Sequence, residues 1–321
     1  SHRDRCFLWG SFLPFRGETE GSPDEVDMLV EPHEQALDFV CHAAACGRFC
    51  TMLLSAEGRC FAWGPNEMYQ CGIPGDEMIR SITELKVPKN EPVIQIELGE
   101  FHGLALTASG QVLCWGQDQG PEVGLDATKK GFLPESINFN EPSPRALDVP
   151  MPVKVVAAGG YHSAFITENG QLWTWGSNSH GQLGLASPKS CPFVGRPRPL
   201  DALKGIDVSK VSLGGIHSAV LDTAGVAYTF GDNRRGQCGQ GDLAQVPSPQ
   251  AVLELPGHVR GVSCGGFFSF FQVGEELYAC GWGKEGCLGF GRQSKRQLKV
   301  LRVPQPLGGS WVQLRAGASH V

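Results

Sequence analysis

Short apolar runs separated by polar, glycine-containing turns recur along the whole chain. In Gln171-Leu172-Trp173-Thr174-Trp175 polar and apolar residues alternate, the two-residue period of a strand. A strand near His162 to Thr167 precedes it, joined through Glu168-Asn169-Gly170. Asn-Gly there predicts a two-residue hairpin turn with both residues at positive φ. Ser109-Gly110 and Ala224-Gly225 hold the same place in other copies. A second turn follows, Gly181-Gln182-Leu183-Gly184, matched by Gly236 to Gly239 and Gly286 to Gly289. A proline-containing return strand then leads to the next copy. Each unit is therefore predicted to be a small antiparallel sheet of about four strands.

The copies keep register. A first glycine and an aromatic-associated glycine are 17 residues apart at Gly47/Gly64, Gly99/Gly116, Gly159/Gly176 and Gly214/Gly231, and 16 apart at Gly265/Gly281. With Gly10, the second glycines step by 54, 52, 60, 55 and 50 residues. Six units are visible. One such sheet cannot bury both its faces, so neighbouring sheets must pack face to face, and radial packing would remove most exposed edges. The chain starts with the second half of a unit, Arg5 to Gly10, and finishes with the first half of one, Arg315 to Val321. The two are expected to complete a single closing blade, making residues 1–321 one all-β domain.

Composition narrows the chemistry. Hydrophobic residues are 41% and charged residues 19%, enough apolar surface for a core. The 43 glycines and 22 prolines suit many tight turns. A net charge of -6 speaks against a globally basic nucleic-acid binder. No apolar run approaches the ~18 residues of a membrane-spanning helix, and the N-terminus lacks the layout of a secretory signal. Cys6, Cys60, Cys114, Cys264 and Cys280 lie inside apolar strand-like runs, which reads as reduced, buried thiols in an intracellular, reducing compartment. Cys41, His42, Cys46 and Cys50 cluster without metal-ligand spacing. Gly281-Trp282-Gly283-Lys284-Glu285-Gly286 matches a dinucleotide fingerprint, but no helical pattern follows it. No cofactor, metal or catalytic triad is indicated.

The phrase Gly-Gly-x-His, a strand, x-x-Gly-x-Leu-x-x-Trp-Gly and then Gly-Gln-Leu-Gly resembles the regulator of chromosome condensation repeat family over essentially the whole chain. The resemblance implies a β-propeller, usually of seven blades with a shared closing blade; six units are visible here. It also implies, as the best-known activity, guanine-nucleotide exchange on the small GTPase Ran, with relatives at cilia, in ubiquitin ligases and on mitochondrial ribosomes. The exchange residues that it implies include Asp two residues before, or directly before, the repeat His. This chain has no Asp at either position, and only Glu100 is acidic. In two units the His itself is replaced, by Cys50 and by Phe268.

The candidate partner-binding face is therefore the repeat loop: Glu100, His102, Tyr161, His162, Ile216, His217, Phe267 and His320. The recurring His suits a shared structural hydrogen bond, and its variable neighbours suit partner specificity. A basic segment, Lys284, Arg292, Lys295, Arg296, Lys299 and Arg302, suits either a solvated or blade-pairing surface or a site for phosphates or acidic partners. The longest connection, Gln117 to Pro150, is the candidate protruding loop, and Ser11 to Asp38 is acidic between Glu18 and Asp38. The expected role is a non-catalytic scaffold or subunit of a large complex, with exchange on a Ran-like GTPase as the alternative and nucleic-acid or nucleosome-surface binding as the second.

Overall fold

A computed structural model of the chain describes residues 5–10, 29–117, 141–186, 188–284, 286–290, 296–304 and 316–317. Two units divide it. The first holds the pair β1 (Arg5–Gly10) and β2 (Leu29–Ala36), the sheet β3 (Cys41–Cys46), β4 (Thr51–Ser55), β5 (Cys60–Pro65), β6 (Met78–Leu85), and the sheet β7 (Val93–Leu98), β8 (His102–Thr107), β9 (Val112–Gly116), β10 (Glu141–Ala146). The second holds β11 (Val153–Ala158), β12 (His162–Thr167), β13 (Leu172–Ser177), β14 (Phe193–Pro199), then β15 (Val208–Leu213), β16 (His217–Asp222), β17 (Ala227–Gly231), β18 (Val246–Ala251), then β19 (Val259–Cys264), β20 (Phe268–Val273), β21 (Glu276–Trp282), β22 (Arg296–Arg302). Every sheet is antiparallel with its strands in chain order. Five four-stranded sheets and one pair thus match the six predicted units.

Burial explains the composition of the strands. All six residues of β8, β12 and β16 are buried, so these second strands are sheltered on both faces, as strands between two packed layers must be. The outer strand β22 is mostly wet. Strand alternation therefore marks the elements without marking one dry and one wet face. In the second unit the layers meet through Ile166, Leu172, Val208, Leu213, Val220 and Phe230.

The hairpin turns differ from the sequence expectation. Gly170 takes φ +81°, but Asn169 is not among the positive-φ residues. The Gly170 N–H donates to Thr167 O (2.8 Å), and the Thr167 N–H donates to Gln171 O (3.0 Å). This is a type I turn closed by a glycine bulge, which needs only one left-handed residue. The same pattern recurs at Gly58, Gly110 and Gly225. A one-residue bulge between two fixed strands is what holds the glycine spacing at 17.

The second turn is built on an asparagine. Asn66, Asn178 and Asn233 accept from the backbone N–H of Cys71, Leu183 and Cys238 through Oδ1. The following Gln70, Gln182 and Gln237 accept through Oε1 from Met68, His180 and Arg235 N–H. The turn needs a left-handed residue, supplied by Gly181 (φ +77°), Gly236 (+81°) and Gly286 (+79°), but by Tyr69 (+57°) in the first unit. A tyrosine there is strained. Tyr69→Gly is expected to raise stability by about 0.5–1 kcal/mol in urea unfolding, the reverse of glycine's usual cost.

The predicted completion of the β1–β2 pair by Arg315 to Val321 lies outside the described residues except at Ala316 and Gly317. The Ala316 N–H donates to Ser263 Oγ of β19 (3.0 Å), as the Cys264 N–H donates to Ser212 Oγ of β15 (2.9 Å). Ala316 therefore meets β19 as one blade meets the previous one.

Candidate partner-docking face

Antiparallel connectivity puts the loop between first and second strands, and the turn between third and fourth, at the same end of each sheet. The glycine loop is closed by its own backbone. Gly47, Gly99, Gly159, Gly214 and Gly265 N–H donate to the carbonyl three residues on, at Cys50, His102, His162, His217 and Phe268 (2.8–2.9 Å). Glycine is required because the next sheet presses on it. A Cβ on Gly159 would stand 2.6 Å from Gly214 O, and one on Gly214 2.5 Å from Gly265 O. The second glycines bond across sheets, Gly160 N–H to Gly214 O (3.0 Å) and Gly215 N–H to Gly266 O (3.2 Å).

The repeat histidines complete this joint and do not line the face. His102, His162 and His217 are buried. In a correction to the candidate face, they support it from beneath. His162 Nε2 lies 2.9 Å from Ser218 Oγ and His217 Nε2 2.9 Å from Ser269 Oγ, each on the next sheet. Each serine donates its one proton onward, Ser218 to Gln182 O and Ser269 to Gln237 O (2.7 Å). The histidines must therefore donate through Nε2–H, which fixes their tautomer. Burial pushes His102 and His217 down to about 4; for His217 the Asp232 carboxylate opposes the shift. Phe268 fills the same place over Gly265 in the last sheet. His320 lies outside the described residues.

The residues flanking the histidines reach the surface. Tyr161, Ile216 and Phe267 are half-buried. The Glu100 carboxylate accepts from Arg48 Nη1 at 2.9 Å, and Phe101 packs on Phe49 with ring centroids 5.5 Å apart. Arg48 also lies 5.0 Å over the Phe49 ring. Arg48, Phe49 and Phe101 escaped the sequence reading, although Phe49 and Phe101 hold the position that Tyr161 marks.

The described residues of the basic segment do not form one patch. Arg292 and Lys295 lie outside the described residues. Arg296 and Arg302 are at opposite ends of β22, about 20 Å apart at 3.3 Å per residue. Lys299 pairs with Glu254, and Arg302 with Glu276 (3.0 Å). Only Lys284, exposed, and Arg296, 5.7 Å over the Trp282 ring, belong to the glycine-loop end. There Arg235 of the Asn233 turn stands between Phe267 (4.6 Å) and Trp282 (4.5 Å). No sequence signal marked Arg235, because its partners come from the next sheet. The longest connection, Gln117 to Pro150, and the acidic Ser11 to Asp38 segment fall mostly outside the described residues. Among the described residues no group of His, Cys, Asp and Glu is placed to hold a metal ion, and no helix is long and apolar enough to cross a membrane.

Repeated four-stranded sheets, locked to one another in the second unit by glycine loops and buried histidines, define a β-propeller repeat protein. The chain belongs to the RCC1-like domain family, whose profile matches residues 4–321. It is 33% identical over 247 residues to the human probable E3 ubiquitin-protein ligase HERC6, covering 76% of this chain and 23% of that protein. It is 28% identical over 307 residues to the Arabidopsis thaliana ultraviolet-B receptor UVR8, covering 95% of this chain and 66% of the receptor. The chain thus spans about a quarter of the HERC6 relative. Among solved structures it is similar to human WBSCR16 (TM-score 0.72, 22% identity, 99% of this chain and 97% of that one). It is likewise similar to Saccharomyces cerevisiae Prp20p (TM-score 0.73, 20% identity, 87% and 67%).

Proposed function

We propose that this chain is a non-catalytic interaction module, a scaffold or subunit of a larger assembly, that docks a protein partner on its glycine-loop face. One observation carries the reading. The loops share a glycine and one backbone hydrogen bond over a buried residue, Cys50, His102, His162, His217 or Phe268, while the half-buried residue before it changes from Phe49 to Phe101, Tyr161, Ile216 and Phe267. A constant frame with varied side chains is how a repeat surface acquires specificity. The family supports it, since relatives on this fold are named for unlike roles, and Prp20p was solved with its binding to Gsp1p and histones described. The profile match over residues 4–321 supports a single domain, and buried thiols at Cys60, Cys71, Cys238, Cys264 and Cys280 fit a reducing, intracellular compartment.

Affinity capture with the tagged chain tests this. A stoichiometric partner is expected with the parent chain, and its recovery should fall at least tenfold with Tyr161→Asp or Ile216→Asp while the thermal unfolding midpoint is unchanged. Full recovery with both variants would overturn the reading. Exchange on a Ran-like GTPase is the second reading, favoured by Glu100 alone, whose carboxylate is engaged by Arg48. Nucleotide-release assays with Glu100→Gln separate it from simple docking. Nucleic-acid or nucleosome-surface binding loses support from the dispersal of the basic segment along β22.

A further inference from the structure

Several cations of the second unit are held by the chain's own acids, and others are not. Lys154, Arg234, Lys299 and Arg302 each face a carboxylate, at Asp207, Asp232, Glu254 and Glu276. Arg235, Arg296 and Lys284 have no carboxylate partner among the described residues, although the chain is acidic overall. Two of the three are held on one ring. Arg235 and Arg296 lie 4.5 and 5.7 Å from the Trp282 centroid, so their guanidinium carbons are at most about 10 Å apart.

We propose that Arg235 and Arg296, with Lys284 beside them, form a receptor for the carboxylates of an acidic protein segment. The proposal rests on the docking-face reading and names the partner chemistry at its second-unit end. The Phe267 and Trp282 rings, 4.6 and 4.5 Å from the Arg235 guanidinium carbon, hold the side chain in place. They leave the N–H edges, which match a carboxylate two bonds at a time. Among the described residues no acid pairs with Arg235 or Arg296, and a partner's carboxylates would supply the complementary charge. A second carboxylate within about 10 Å suits acidic residues two apart on an extended segment, which lie about 7 Å apart on one side. A nucleic acid fits less well. It needs open aromatic faces for its bases, and Arg235 already covers Phe267 and Trp282.

The test uses fluorescence anisotropy with the full chain and a labelled peptide of about twelve residues alternating Glu and Ser. Saturable, salt-sensitive binding is expected, with at least a tenfold loss when Glu is replaced by Gln in the peptide. Arg235→Ala and Arg235→Lys should each weaken binding about tenfold, the second because it keeps the charge and loses the fork. Arg296→Ala should do the same, and Arg234→Ala should leave binding unchanged. Equal binding of the Gln peptide, indifference to Arg235→Ala, or tighter binding of a phosphoserine peptide or single-stranded RNA would each overturn the proposal. If the partner captured from cells is lost with Tyr161→Asp but kept with Arg235→Ala, the docking face stands and the acidic-segment receptor falls.

Discussion

Replacing Gly103 by alanine is expected to cost about 3 kcal/mol or more, far above the usual effect at a strand glycine. A Cβ on Gly103 would stand 2.3 Å from Cε2 and Cζ2 of Trp115. Trp115 is fully buried, and its Nε1–H donates to Gln70 O (3.0 Å). The ring cannot retreat without breaking that bond and leaving both groups dry and unpaired. The same turn carbonyl is met differently elsewhere. Ser218, at the position of Gly103, donates to Gln182 O, and the aromatic at the position of Trp115 is Phe230. Glycine with tryptophan and serine with phenylalanine are two of the pairs used at these positions, beside Ser163 with Trp175. Gly103→Ser with Trp115→Phe should therefore cost at least 1 kcal/mol less than the two single changes together in urea unfolding. Strict additivity, or an alanine variant within 1 kcal/mol of the parent, would remove this account.

Acid should unfold the protein through its neutral histidines before its carboxylates matter. His102 and His217 are pushed down to about 4 from an ordinary value near 6.5, because burial disfavours the imidazolium. Above pH 6.5 neither state binds the proton, and the full stability is present. Between pH 6.5 and 4 the unfolded chain is protonated and the folded one is not, so stability falls as pH falls. A shift of that size corresponds to about 3 kcal/mol for each ring once pH reaches 4. Glu57 and Glu91, held below the usual carboxylate value by hydrogen bonds from Ser55 and Ser109, add their losses only below about pH 4.5. Urea midpoints between pH 7 and 5 thus report the histidines. His217→Phe copies Phe268 of the last sheet, so it should fold and should remove one proton's share of the slope. An unchanged slope in that variant would show that His217 is not the titrating group.

The fold was legible wherever the backbone demands a particular residue. Glycine at Gly170, Gly181 and Gly236 takes a φ that other residues resist, so the turns, and with them the strands, could be read from spacing. The hairpin type was not legible, because Asn-Gly is compatible with two turns and only the Thr167 hydrogen bonds distinguish them. The exchange of Gly103 and Trp115 for Ser218 and Phe230 was invisible too, since its logic is a shared carbonyl on another strand. At the candidate site the repeat marked the loop and its variable neighbours, while the histidines that it grouped with them are buried and serve the shared hydrogen bond also read for them. A polar residue at a repeated position reads equally as surface or as a satisfied core group, and Ser218 and Ser269 settle which. The basic segment looked like one patch because neighbours in sequence point to different places along an extended strand.

The amides of Gly160 and Gly215 reach across to the carbonyls of Gly214 and Gly266. Loops anchored at both ends in this way give up little freedom when something binds them, so the ordering cost that weakens many flexible surfaces is small here. Association should then resemble the meeting of two rigid bodies, at a rate insensitive to which side chain stands at Tyr161 or Ile216. Differences among variants at those positions should appear as changes in the lifetime of the complex. New partners could be acquired by exchanging one half-buried residue at a time, with no cost to the stability of the frame.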